Sequence, residues 1–292
     1  MGPLRDPKPH GGLWMYSPAR TSGFPGSESK AELKRLTLTG YPLGHDFHPL
    51  GLEIYPSYAG NASNLFVANH AGERTVIEQF TISPSAPDQA TWVRTLVSDF
   101  FVSPNSIALT SPTSFYVSND HLLTRRIANP LNRILPITET VLGLPLSWIS
   151  HVTLVQDPAN PHGPPKISHK FAALGIAFAN GVAVSPDGRH VAVAATSTAE
   201  VYFYDRNTET NTLKHIDTVP VPFFPDNIVF DHNGVLLVAG HPVSLSPYSN
   251  PYFLCVSNAI SISQLSSPWL QTSRMQLHPA GYYRYLPVSS QK

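Results

Sequence analysis

Short runs of alternating apolar and polar residues, separated by turn residues, recur along most of this chain. The clearest opens at Phe178 and reads FANGVAVSPDGRHVAVA: a polar Asn180, an alternating strand, a Ser-Pro-Asp-Gly turn and a second strand. The same order returns in FHPLGLEIYPSYAGNASNLFVANH from Phe47, PNSIALTSPTSFYVSND from Pro104 and DNIVFDHNGVLLVAGHP from Asp226. Alternation of this kind predicts half-buried strands. It covers Glu32 to Thr39, Gly51 to Tyr55, Asn64 to Asn69, Thr75 to Ile82, Trp92 to Val97 and Val201 to Tyr204. Asp187-Gly188 and Asn233-Gly234 read as hairpin turns. Residues 1–30 read as an irregular N-terminal segment holding one short strand candidate, Leu13 to Tyr16, and Asp157 to Pro165 as a loop. Between His121 and Ser150 the rhythm changes: Leu122, Leu123, Ile127, Leu131, Ile134 and Leu135 fall at near-helical spacing, with Arg125, Arg126 and Arg133 among them. Pro130, Pro136 and Pro145 limit any helix there to short pieces. That segment reads as a surface helix packed on the core, with a lipid- or membrane-contacting cover as the alternative. The pattern fades after Leu254, which leaves a strand-rich body over 31–257 and an irregular C-terminal tail over 258–292.

The leading residues His48, Asn105, Asn180 and Asn227 recur at roughly 50 to 75 positions, a period that with about four short strands per unit describes propeller blades. The innermost strand of a blade lines the central channel, so Asn105, Asn180, Asp226 and Asn227 are expected to converge. Three amide oxygens and a carboxylate suit calcium (Ca2+), which takes hard oxygen ligands, and do not suit zinc. Such an ion polarises an ester or lactone carbonyl. His70, His121 or His241, each just after an apolar strand, could supply a base. The local alternative is that each Asn or Asp only closes a turn with its own backbone.

Composition narrows the partners. The 292 residues carry 19 basic and 19 acidic side chains, so there is no electrostatic case for nucleic acid. The single cysteine, Cys255, excludes an internal disulfide and a multi-cysteine zinc site. No apolar run is long enough to span a membrane as a helix, and no signal peptide is visible at the start. Asn61-Ala62-Ser63 fits a glycosylation sequon, read as a chance match.

FANGVAVSPDGRHVAVA, VANH at Val67, FYVSNDH at Phe115, and DNIVFD followed by GHP together resemble the paraoxonase or arylesterase family, from about Leu13 to Pro242. The resemblance implies an all-β, six-bladed propeller with a calcium ion in its tunnel. Asn105, Asn180, Asn227 and Asp226 match four of the ion's ligands. His70 matches a histidine of the family's proposed catalytic pair, and Asp120, His121 and His241 match residues that line the same site. The implied chemistry is hydrolysis of lactones and aryl esters, and the implied setting is secreted or membrane-associated. Four positions differ. Leu50 stands where the family's first histidine does, with His48 two residues before it. Ser106 stands where an aspartate holds a second calcium. The early Glu-Asp pair has no counterpart in residues 1–12, where Asp6 is isolated, and the last blade has none after Ser257. An incomplete propeller, lacking first and last strands, is therefore expected. A non-catalytic propeller and a gluconolactonase-like or strictosidine synthase-like relative stay open as alternatives.

Overall fold

Alternating side chains become paired strands throughout the described residues, which in this computed structural model are 11–19, 30–161, 163–242, 258–261, 273–277 and 283–287. The fold is mostly sheet, with one α-helix among those residues. Asp6 and Cys255 lie outside them. The body expected over 31–257 falls into two compact units that divide between Phe101 and Val102.

In the first unit, β1 (Trp14–Ser17), at the strand candidate Leu13 to Tyr16, pairs with β2 (Glu32–Arg35) as a ribbon. The rest is a five-stranded sheet of β3 (Thr37–Thr39), β4 (Pro49–Tyr55), β5 (Ser63–His70), β6 (Thr75–Ser83) and β7 (Ala86–Leu96). The last four form an antiparallel meander, and β3 runs parallel to β7 on the outer edge. Leu65, Val67, Phe80 and Ala90 of the meander form its core with Leu13, Leu36 and Phe47. One acid is enclosed there. Glu78, 1% exposed, accepts hydrogen bonds from Tyr41 Oη (3.2 Å), Asn69 Nδ2 (3.1 Å), Trp92 Nε1 (3.1 Å) and Thr95 Oγ1 (2.6 Å).

The second unit repeats the meander. Its first copy is β8 (Pro104–Ser111), β9 (Ser114–Asn119), β10 (Ser147–Val155) and β11 (Lys166–Ile176), with helix α1 (Leu131–Val141) between β9 and β10. The next is β12 (Ala179–Val184), β13 (His190–Ala195), β14 (Glu200–Arg206) and β15 (Leu213–Pro220). The third begins with β16 (Phe223–Phe230) and β17 (Val235–Pro242) and continues through β18 (Asn258–Ser261), β19 (Ser273–Leu277) and β20 (Tyr283–Pro287). These last three strands lie within 258–292, the stretch read from the sequence as a tail. β18 forms on the open edge of β17, pairing Leu237 with Ala259, so a partner distant in sequence supplies what local alternation does not signal. β10 is also hidden in the pattern, because it is buried on both faces and WISHVTLV does not alternate. The β12 sheet lies between its neighbours. Val182, Val191 and Val193 pack with Ala108, Tyr116 and Ile149 on one side, and Ala192, Val201 and Phe203 pack with Phe223, Ile228 and Leu236 on the other.

Helix α1 starts after Pro130 and ends before Gly143, which takes a left-handed φ of 58°. Its buried residues are Pro136 and Glu139, while Leu131, Ile134, Ile137 and Val141 are about half exposed or more. The near-helical spacing thus makes a helix, but its apolar stripe faces outward.

His151 on β10 is 3% exposed and stands edge-on to the Tyr116 ring at 4.9 Å. Burial, with the nearby charges of Lys170 and Arg206, lowers its pKa to about 4. The folded value lies below the ordinary histidine value of about 6.5, so stability is full above pH 6.5 and falls as pH drops toward 4. At pH 4.5 the wild type should lose about 2 to 3 kcal/mol more, relative to pH 7.5, than His151→Phe. Urea unfolding of both proteins at the two pH values checks this, and equal losses would refute it.

Candidate functional site

The first strand of each of the four meanders is interrupted at the same place. Between Pro49↔Asn69 and Leu52↔Val67, three steps along β4 match two along β5. The same excess occurs between Pro104↔Asn119 and Ile107↔Val117, between Ala179↔Ala195 and Val182↔Val193, and between Pro225↔Gly240 and Ile228↔Val238. Each is a β-bulge, which removes a residue from the ladder and re-aims its side chain. The bulged pairs are Leu50-Gly51, Asn105-Ser106, Asn180-Gly181 and Asp226-Asn227. Register therefore makes Leu50, Asn105, Asn180 and Asp226 the equivalent positions. That corrects the alignment of His48 and Asn227 with Asn105 and Asn180. The readable signal is a Pro or Ala, the candidate residue, then in three copies a small residue.

In the second unit the three bulges adjoin. β12 lies against β8 on one side and β16 on the other. Val182 N donates to Ser106 Oγ at 3.2 Å, and Thr196 Oγ1 donates to the Pro225 carbonyl at 2.6 Å. A side chain on Gly181 would lie 2.6 Å from Asp226 O, so only glycine lets β12 approach β16 this closely. The structure thus brings together the main chain at Asn105, Asn180, Asp226 and Asn227.

In these three bulges the first side chain meets the residue at the end of the second strand of its own meander. Asn105 Nδ2 donates to Asp120 Oδ2 at 3.0 Å. Asn180 Nδ2 donates to Thr196 Oγ1 at 3.2 Å. Asp226 Oδ2 lies 3.3 Å from His241 Nε2. The first two contacts occupy the nitrogen of each amide and leave its oxygen. Asn180 is 5% exposed, and its Oδ1 has no hydrogen-bond partner. An enclosed amide oxygen in that state is costly unless something meets it. The amide oxygens of Asn105 and Asn180 and the carboxylate of Asp226 are hard oxygen donors, the type calcium takes. Among the described residues, no three His, Cys, Asp or Glu side chains gather in one place. Thr196, absent from the sequence-predicted residues, orients Asn180.

His121 has both ring nitrogens engaged. Nδ1 lies 3.0 Å from Asp120 Oδ1, and Nε2 lies 2.7 Å from Thr140 Oγ1. Thr140 Oγ1 already donates to the Pro136 carbonyl at 2.9 Å, so it accepts from Nε2–H. Burial alone would lower the His121 pKa, but the hydrogen bond and charge of Asp120, with the charge of Glu139, outweigh it and raise it. Held between two acceptors, His121 is built to donate rather than to take a proton. His241, with its side chain 69% exposed beside Asp226, is more open than His121, whose side chain is 15% exposed.

His70 ends β5 in the first unit, the position that Asp120, Thr196 and His241 hold in the other meanders. Its N–H donates to the His48 carbonyl at 3.0 Å, as Asp120 N–H does to Ser103 O at 3.1 Å and Thr196 N–H to Phe178 O at 3.1 Å. The facing Leu50 has no polar atom with which to make the side-chain bond seen in the other three. The imidazole of His48 instead meets Asp46, Nδ1 to Oδ1 at 2.8 Å.

Comparison with known proteins bears on this arrangement. A chicken (Gallus gallus) serum paraoxonase/arylesterase 2 is 26% identical over 218 residues, covering 74% of this chain and 55% of that protein. A mouse (Mus musculus) serum paraoxonase/arylesterase 1 is 29% identical over 197 residues, covering 67% of this chain and 49% of that protein. The chain spans about half the length of these curated relatives. A solved gluconolactonase from Xanthomonas campestris is similar over 61% of this chain and 52% of its own, at 18% identity and a TM-score of 0.37. The family model described as Arylesterase matches residues 20–264. On that match, which takes in all three polar bulges, the chain belongs to the arylesterase family.

Proposed function

We propose that this chain is a calcium-dependent hydrolase of small esters and lactones, with Asn105, Asn180, Asp226 and Asn227 holding the ion. The observation that carries this is the buried, partnerless Oδ1 of Asn180, in a bulge against that of Asp226. A bound calcium would polarise the substrate carbonyl and stabilise the oxyanion. His241, oriented by Asp226, accepts a proton from the attacking water and returns it to the leaving oxygen as the C–O bond breaks. Asp120 and His121 hold Asn105 and the neighbouring loop, and His70 keeps the role that its VANH context implies. The meanders are read as blades of the six-bladed propeller of the resemblance. The outward stripe of α1, within 121–150, is the proposed contact with a lipid surface.

Asn180→Ala should weaken calcium binding about ten-fold or more, because it removes a ligand that is already in place. Calorimetric titration measures that, and hydrolysis of an aryl ester and a lactone with and without EGTA measures the chemistry. Turnover indifferent to both EGTA and the substitution would sink the proposal. A second reading is a non-catalytic family member, favoured by Leu50 in the bulge of β4. It predicts calcium binding without turnover of any ester, aryl or sugar-lactone substrate at millimolar calcium.

A further inference from the structure

Thr140 lies on helix α1, outside the bulges that carry the candidate ligands, yet it ends an unbroken line of contacts to one of them. Thr140 Oγ1 meets His121 Nε2 at 2.7 Å, His121 Nδ1 meets Asp120 Oδ1 at 3.0 Å, and Asp120 Oδ2 accepts from Asn105 Nδ2 at 3.0 Å. We propose that Thr140, acting through His121 and Asp120, fixes the amide of Asn105 with its oxygen toward the cation, so that helix α1 sets the affinity of the metal site. This inference rests on the calcium reading above.

Each link has one available direction. The hydroxyl proton of Thr140 goes to the Pro136 carbonyl, so its oxygen receives the Nε2–H of His121. The imidazole is held edge-on to Phe178 at 4.5 Å, and Phe178 sits in the left-handed region with φ of 60°, a backbone cost that a non-glycine residue bears only when its surroundings require it. The other nitrogen then points at Asp120, whose second oxygen faces the Asn105 amide nitrogen. An amide whose nitrogen is fixed on an acceptor has its oxygen turned away from that acceptor. The helix itself cannot slide past the loop. The adjacent Glu139, 2% exposed, accepts from Leu122 N at 3.0 Å and from Leu123 N at 2.8 Å, on the two residues that follow His121. Two consecutive residues of α1 are thus tied to one loop, and that loop is tied to a ligand. Thr140 is a positioning residue, since it touches neither ion nor substrate.

The test uses the full chain with Thr140→Val, which keeps the branched shape, and Thr140→Ser, which keeps the hydroxyl. Calcium affinity is measured by calorimetry. The side-chain amide of Asn105 is followed by NMR on protein labelled with 15N-asparagine. Thr140→Val should bind calcium about three- to ten-fold more weakly and shift the Asn105 amide resonances, with its thermal midpoint in EGTA unchanged, and Thr140→Ser should restore both. Wild-type affinity in Thr140→Val, an unmoved Asn105 amide, or failure of the serine to restore would each overturn the relay. A wild-type chain that takes up no calcium would instead fail the calcium reading itself and remove the proposal with it. A wild type that binds beside an indifferent valine variant fails the relay alone.

Discussion

Gly181→Ala is expected to lower folding stability by about 3 kcal/mol and to weaken calcium binding at the same time. The added methyl would stand 2.6 Å from Asp226 O, 2.8 Å from Ile228 N and 3.1 Å from Asn227 Cα. All three are main-chain atoms, so no side chain can turn aside to admit it. β12 and β16 must then separate, and the contacts of Ala183 with the β16 sheet loosen. The same movement draws Asn180 away from Asp226. Both effects follow from one displacement, so they should appear together. Urea unfolding gives the first and calorimetric titration the second. A stability within about 0.5 kcal/mol of wild type, on the usual scale of a neutral surface change, would show that the two bulges do not approach as described.

Glu78→Ala should cost about 4 kcal/mol in the same unfolding experiment. Four donors, from Tyr41, Asn69, Trp92 and Thr95, converge on this buried carboxyl, and truncation leaves them facing a cavity. Glu78→Gln keeps the volume but turns an N–H toward donors, so about half that loss is expected. The consequence reaches the loop before β4. Asn69 Nδ2 also donates to the Asp46 carbonyl at 2.9 Å, and Asn69 Oδ1 accepts from His48 N at 2.8 Å. Losing Glu78 therefore frees the side chain that holds Asp46 and His48 beside the end of β5. Amide exchange at His48 and His70 should quicken in Glu78→Ala more than exchange at the far ends of the same strands. A uniform change, or a loss under about 1 kcal/mol, would deny the network this role.

Much of the arrangement is legible in the residues themselves. Asp-Gly and Asn-Gly turns between short apolar runs mark β12–β13 and β16–β17, because those turn residues tolerate the required backbone. The polar residues that open the first strands are also visible. β10 is not, since a strand covered on both faces has no reason to alternate. Nor are β18, β19 and β20: β18 pairs along the edge of β17, and β20 joins β18 to β19. The spacing of apolar residues announces the helix but not its orientation. Leu131 and Ile134, read with their neighbours as part of a helix packed on the core, stand about half exposed with Ile137 and Val141, while Glu139 and Thr140 make the ties on the other side.

The repeat and its chemistry belong to the sequence: four copies of strand, turn and strand, with asparagine or aspartate at the head of three and leucine in the fourth. Those depend on residue type and local spacing, which the chain carries wherever it folds. Which residues are equivalent is settled only in the folded chain. Strand register is set by hydrogen bonds to the second strand, and one extra residue in each first strand makes Leu50, Asn105, Asn180 and Asp226 the matching positions. Which atom of each amide is left to meet a ligand is settled there too, because Asp120 and Thr196 claim the nitrogens from the end of a neighbouring strand. A sequence can place an asparagine at a strand's entrance, but only a packed neighbour can take its nitrogen and leave its oxygen.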